Sequence, residues 1–206
     1  MSGGFITFEG IDGAGKSTHI GALAEWLRGR GHDVVTTREP GGSEVAERLR
    51  ELVLHAPMDA LTETLVVFAA RRDHLQRRIE PALGRGALVL CDRFTDASFA
   101  YQGGGRGIDP GIIATLERIA AGIKPDFTLL LDVGIDIGLA RARARGGAPD
   151  RIESEREEFF ERVRAAYLAR AAAEPARFCV VDAGQAAEQV VQEVRQRLGA
   201  WLDAGA

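Results

Sequence analysis

The stretch Gly10-Ile11-Asp12-Gly13-Ala14-Gly15-Lys16-Ser17-Thr18 constrains this chain more than any other, because it matches the phosphate-binding pattern G-x-x-x-x-G-K-[ST] at every fixed position. Such a loop turns its backbone N–H groups inward around a phosphate. That favours glycine where a β-carbon would block the approach or φ must be positive, and Gly10, Gly13 and Gly15 supply it. Lys16 brings an ammonium to the β- and γ-phosphates, Ser17 offers its hydroxyl to Mg²⁺, and a helix starting there points its positive end at the anion. The flanks agree: Phe5-Ile6-Thr7-Phe8 is β-branched and aromatic like a strand, and His19 to Arg30 has helical spacing. Lysine is scarce in this chain, with only Lys16 and Lys124 among its 26 basic residues, which makes a chance match poor and a nucleoside-triphosphate site the reading.

Apolar strand-like runs recur at Phe5 to Phe8, Asp33 to Thr37, Ala87 to Cys91, Phe127 to Leu131 and Phe178 to Val181. Helical patterns fill the gaps: Ser43 to Leu54, Leu61 to Leu83, Gly138 to Arg145 and Glu153 to Ala173. Continuous apolar strands alternating with helices predict an α/β fold, a five-stranded parallel sheet flanked by helices on both faces. Ligands of such sheets bind beyond the carboxyl ends of the strands, where the loop, Arg38-Glu39-Pro40-Gly41-Gly42, Asp92-Arg93, Asp132 and Asp182 all fall. The length of 206 residues suits a single domain. A formal charge of -4 gives no reason to expect a nucleic-acid partner. No apolar run reaches membrane-span length and no signal region opens the chain, so a cytoplasmic protein is expected, with Cys91 and Cys179 as reduced packing residues.

Asp92 stands where a P-loop enzyme places its second acid near Mg²⁺, Arg93 beside it would meet an anion, and Asp132 is a weaker candidate of the same kind. Asp12 would repel phosphates if it faced them, so it is expected to face a cation or a sugar hydroxyl of a second ligand. Arg141, Arg143, Arg145 and Arg151 surround a glycine-rich hinge, Gly146 to Asp150. The pattern predicts a mobile lid at about 141–153 that closes arginines over transferring phosphates, and Arg141 and Arg145 share a helix face. His19, His32, His55 and His74 read as helix-surface or packing residues.

The motifs Phe8 to Thr18, Thr37-Arg38-Glu39-Pro40-Gly41-Gly42, Asp92-Arg93-Phe94 and Ala100-Tyr101-Gln102-Gly103-Gly104-Gly105-Arg106-Gly107 resemble those of the bacterial thymidylate kinases, in order and spacing. The resemblance runs through Asp150-Arg151-Ile152-Glu153. It implies a P-loop nucleotide kinase, with ATP and Mg²⁺, that phosphorylates thymidine 5′-monophosphate towards dTTP, and it suggests a homodimer formed through the helices between Ser43 and Leu83. By motif position it implies ATP contacts from Gly10 to Thr18 and Arg141, metal contacts from Ser17 and Asp92, and acceptor-phosphate contacts from Arg38 and Arg93. Asp12 is implied near the acceptor's 3′-hydroxyl or the metal. Ser98, Tyr101 and Gln102 are implied around the thymine and deoxyribose, with Tyr101 crowding a ribose 2′-hydroxyl. Because Gly13 stands where one subtype carries a loop arginine, the lid arginines should supply the catalytic charge beside Lys16, Asp12 and Arg93, with Arg151 the first choice. The family's base-stacking phenylalanine and base-reading arginine lie four residues apart. Here Phe68 with Arg72 keeps that spacing, whereas aligning His74 selects Arg71 and puts Val67 at the aromatic position; Phe68 with Arg71 is the preferred pair.

Two other readings share the loop. A kinase for a different small phosphorylated acceptor would differ only in the pocket residues. A GTP-binding switch needs an Asn/Thr-Lys-x-Asp signature, and Ile123-Lys124-Pro125-Asp126 lacks its first residue.

Overall fold

A computed structural model describes residues 3–146 and 149–205. Five parallel strands, β1 (Gly4–Glu9), β2 (Val34–Arg38), β3 (Leu88–Asp92), β4 (Phe127–Asp132) and β5 (Phe178–Asp182), form one sheet in the order β2-β3-β1-β4-β5. Alternate residues of the strands enter two different cores, as the two-residue side-chain period requires. Ile6, Phe8, Leu88 and Leu90 join the larger one, under helices α1 (Lys16–Gly29), α8 (Glu157–Ala173) and α9 (Ala187–Asp203). Phe5, Val89 and Cys91 face the other way, against Leu75, Ile79 and Ala82. The sheet is therefore covered on both faces, which is why its strands read as unbroken apolar runs.

Register aligns the strand ends that matter. Phe8 of β1 and Arg38 of β2 are both paired with Asp92 of β3, and Asp132 of β4 with Asp182 of β5. The chain fills the positions on one side of β1 before crossing to β4 on the other, so a crevice opens at the carboxyl end of β1. The first loop lies in it.

The helices depart from the sequence expectation in three places. Helix α2 (Glu44–His55) ends before α3 (Ala60–His74), and α3 alone is followed without a break by a wider, π-type segment, Leu75–Ile79, and then α4 (Glu80–Gly84). A short α5 (Thr95–Ser98) runs into a second π segment, Phe99–Gly105, and α6 (Pro110–Leu116) into a third, Glu117–Ala121. The glycines of the second let it lie against α8: a β-carbon on Gly104 would come within 2.7 Å of the Ala166 β-carbon. Helix α7 (Ile135–Ala144) is followed by a separate turn, because the Asp150 carboxylate accepts from the amides of Ile152 and Glu153, both at 2.8 Å; α8 starts only at Glu157. Two residues of the expected hinge, Gly147 and Ala148, lie outside the described residues.

Candidate active site

Residues Gly10 to Gly15 turn the chain from β1 into α1. A β-carbon on Gly13, at φ 79°, would run into the Gly138 carbonyl oxygen, so glycine is what lets α7 pack there. No side chain caps α1, which leaves its first amides for an anion. Lys16 is buried and curls back, donating from Nζ to the carbonyls of Gly10 and Ile11, each at 3.1 Å. Burial and then the neighbouring Arg93 charge pull its pKa down. A phosphate in the loop would replace those two carbonyls as its partner. Ser17 Oγ donates to Asp92 Oδ2 at 3.0 Å, bringing two hard oxygen donors together at the rim.

Arg93 leaves β3 at φ 68°, a left-handed conformation rare outside glycine, and its amide donates to the Phe8 carbonyl at 2.9 Å. That turn sends its guanidinium back across the loop, where it donates to the Gly10 carbonyl, Asp12 Oδ1 and the hydroxyls of Tyr101 and Tyr167 at 2.9 to 3.1 Å. Tyr101 in turn donates to Asp12 Oδ2 at 3.0 Å. Burial pushes the Asp12 carboxyl up, but the Arg93 and Lys16 charges and the Tyr101 hydrogen bond outweigh it and hold its pKa at about 2. Asp12 thus faces a cation. Beneath Arg93 lies Glu9, fully buried, accepting from the Phe94 amide at 2.7 Å and the Tyr167 hydroxyl at 2.8 Å. Burial, then the nearby Asp96, raises its pKa to about 8.

Two cavities open from this centre. One holds the loop, with Gly13, Gly15, Lys16, Ser17, Thr18, Arg38, Asp92, Arg141 and Arg145 in its wall. The other is lined by Val67, Arg71, Ala97, Ser98, Tyr101, Gln102 and the apolar Val53, Leu54 and Ile152. They share Asp12, Glu39, Arg50 and Arg93. In the second, Arg71 is 2 % exposed and donates from Nε to Glu39 at 2.6 Å, from Nη1 to Ser98 Oγ at 3.0 Å and from Nη2 to the Phe94 carbonyl at 2.9 Å. Glu39 also meets His74 Nδ1 at 3.0 Å, and His74 Nε2 meets Thr37 Oγ1 at 2.6 Å. His74 is therefore a buried strut of this cavity, since the register of β2 brings Thr37 and Glu39 to it.

Several sequence-derived residues fall elsewhere. Phe68 is not part of the cavity wall: the Arg71 guanidinium covers its ring at 4.5 Å, and Val67, one residue earlier, lines the cavity. Arg72 points outward and pairs with Glu80 at 3.1 Å. Arg151 does not join the phosphate-loop cavity; its side chain pairs with Glu63 at 2.7 Å and donates twice to the Val53 carbonyl. Of the arginines around the expected hinge, that cavity holds Arg141, which donates to the Ala183 carbonyl at 2.7 Å, and Arg145. Asp132 has both oxygens taken by Arg164, at 2.6 and 2.8 Å. Arg38 reaches the loop cavity while pairing with Glu47 at 2.9 Å. Arg50 carries no motif signal in the sequence, though it shares a helix face with the buried Ala46 and Val53 of α2.

A phosphate loop at the end of the central strand, with a second cavity sharing Asp12, Glu39, Arg50 and Arg93 of its wall, defines a P-loop kinase that brings two nucleotides together. Comparison with known proteins narrows the class. The family model for thymidylate kinase matches residues 8–194. Thymidylate kinase of Pseudomonas putida is 57% identical over 199 residues, 94% of each chain, and that of Teredinibacter turnerae is 52% identical over 206 residues, covering 98% of this chain and 100% of the relative. The crystal structure of thymidylate kinase from Ehrlichia chaffeensis superposes with a TM-score of 0.79 at 36% identity, covering 97% of this chain and 99% of the other. The chain belongs to the thymidylate kinase family.

Proposed function

We propose that the chain transfers the γ-phosphoryl group of ATP to thymidine 5′-monophosphate, giving thymidine 5′-diphosphate and ADP. The observation that carries this reading is the junction of the two cavities at Asp12, Glu39, Arg50 and Arg93. A donor triphosphate in the loop and an acceptor monophosphate in the second cavity would meet there. An acceptor phosphate oxygen attacks the γ-phosphorus as the bond to the β,γ-bridging oxygen breaks, and ADP carries that electron pair away. The acceptor is already anionic, so no strong base is needed, and charge neutralisation and alignment do the work. Lys16 and the first amides of α1 hold the donor phosphates, Arg93 spans the transferring group, Arg38 and Arg50 serve the acceptor phosphate, and Arg141 and Arg145 reach over from the donor side.

The second cavity also suits a pyrimidine with two ring carbonyls. Arg71 uses three of its five N–H groups internally, leaving one on each terminal nitrogen for a base carbonyl. Gln102 donates its amide N–H to Glu63 and keeps its amide oxygen for a ring N–H. An amino-substituted base would bring a donor to the Arg71 donors and be rejected.

Ser17 and Asp92 suit Mg²⁺, which takes few protein oxygens and completes its shell with phosphates and water; among the described residues no cluster of three or more His, Cys, Asp or Glu offers a richer site. Bound there, it neutralises charge on the donor phosphates. We assign residues 141–146 and 149–153, the described part of the expected lid, to a segment that closes over the phosphates of a single domain. We assign the exposed apolar side chains of Val45 and Leu52 on α2 and Leu61 and Leu65 on α3 to a homodimer interface. No helix among the described residues is long and apolar enough to cross a membrane, and the unbridged Cys91 and Cys179 suit the cytoplasm.

A coupled ADP-release assay tests the reaction, with ATP, Mg²⁺ and the monophosphates of thymidine, deoxyuridine, uridine, cytidine, adenosine and guanosine. Turnover should favour the thymidine nucleotide, and preference for another acceptor would refute the pocket reading.

A further inference from the structure

Glu63 lies on α3, two helical turns before Arg71, and is 1 % exposed. A carboxylate buried this deeply is held only by partners, and Glu63 has three. Its Oε1 accepts from Gln102 Nε2 at 2.7 Å, and its Oε2 accepts from Arg106 Nε at 3.1 Å and pairs with Arg151 Nη2 at 2.7 Å. These partners come from two different parts of the chain. Gln102 belongs to the acceptor cavity, whereas Arg151 belongs to the segment that follows the hinge. That segment is fastened to α2 and to the end of the Phe99–Gly105 π segment: the Arg151 amide donates to the Leu54 carbonyl at 3.0 Å, its guanidinium to the Val53 carbonyl at 2.8 and 3.1 Å, and Glu155 pairs with Arg106. Asp150 and Ile152 thereby close one side of the acceptor cavity. On the other side of the hinge, α7 and the residue that caps it carry Arg141 and Arg145 into the phosphate cavity.

The geometry points to Glu63 as a positioning residue that couples recognition of the acceptor base to the seating of residues 149–155. One carboxylate turns the Gln102 amide so that its oxygen is left for the base, and the same carboxylate anchors Arg151. An acceptor that engages Gln102 steadies Glu63 and so the Arg151 anchor. By reciprocity, loosening the anchor weakens the acceptor. The inference rests on the placement of the acceptor in the second cavity. Arg151 then acts as a strut on the acceptor side, while the donor phosphates are left to Arg141 and Arg145.

The test combines hydrogen exchange and steady-state kinetics on the full-length protein, wild type against Glu63→Gln and Arg151→Met. In the wild type, thymidine monophosphate should slow exchange both at 98–106 and at 150–155. In either variant it should still protect 98–106 but lose its effect on 150–155, while KM for the acceptor rises about tenfold, more than kcat falls, and KM for ATP stays within about twofold. Arg151→Met changes a side chain that reaches Glu63 from the rim and keeps the test decisive if Glu63→Gln folds poorly. Protection at 98–106 without protection at 150–155 in the wild type would overturn the coupling alone, as would a kcat loss with acceptor KM unchanged. Absence of protection at 98–106 would overturn the acceptor-site reading and the coupling with it.

Discussion

Replacing Glu9 by glutamine should remove a loss of stability that one buried carboxyl imposes as pH rises. Glu9 is fully buried between the Phe94 amide, the Tyr167 hydroxyl, Arg93 and Asp96, and burial first and Asp96 second raise its pKa from an ordinary value of 4.5 to about 8. A carboxyl raised in the folded state has no effect below the unfolded value, where both states are protonated. Above it the unfolded chain ionises first, and the native state loses stability until the folded value is passed. Between about pH 5 and about pH 8 the unfolded chain binds one proton fewer, which costs the native state about 1.4 kcal/mol per pH unit, or about 4 kcal/mol in all. Glutamine has the shape of the protonated acid, still accepts from the Phe94 amide and never ionises. The stability of Glu9→Gln relative to wild type, from urea unfolding at one fixed protein concentration, should therefore rise by about 4 kcal/mol from pH 5 to pH 8. A difference that is flat with pH, or that falls, would show that Glu9 folds as an anion paired with Arg93 and not as a neutral acid.

Other predictions address the site and the interface. Arg145→Ala should lower kcat about 1,000-fold, the scale for an arginine acting on phosphoryl-transfer charge, with acceptor KM little changed; a loss confined to KM would remove Arg145 from the phosphates. Arg71→Lys keeps the charge but loses the fork shared by Glu39, Ser98 and the base, so kcat/KM for thymidine monophosphate should fall at least about tenfold in the coupled assay, and wild-type values would contradict the assignment. Leu65→Glu introduces a charge at a position 50% exposed on α3, and sedimentation at micromolar concentration should show a dimer for wild type and a monomer for the variant; unchanged dimers would move the interface elsewhere.

Much of the fold was legible because the strands are buried on both faces and so appear as continuous apolar runs, each ending in a polar residue at the crevice. The loop was legible because phosphate binding demands glycines and lysine at fixed spacing. What escaped depended on contacts across the chain. Nothing local distinguishes Arg71 from Arg72; the difference is that Arg71 meets Glu39, brought to it by β2, while Arg72 meets Glu80 at the surface. Phe68 kept the expected spacing to Arg72, but the helix turns Val67 into the cavity and puts Phe68 under the Arg71 guanidinium. Arg151 looked like a lid arginine because it follows the glycine hinge, and only the buried acceptor Glu63, far away in sequence, draws it to the acceptor side. The glycine-rich stretch after Tyr101 gave no helical period because it forms a π segment whose glycines serve close packing on α8.

The proposed transfer requires the acceptor in the cavity under Arg71 and the donor triphosphate in the loop. A crystal structure with thymidine monophosphate and a non-hydrolysable ATP analogue tests it most directly. The thymine edge should lie against Arg71 and Gln102, the 5′-phosphate against Arg93, and the γ-phosphate between Lys16 and Arg145. A thymine bound away from Arg71, or a γ-phosphate met by Arg151 in place of Arg145, would contradict it.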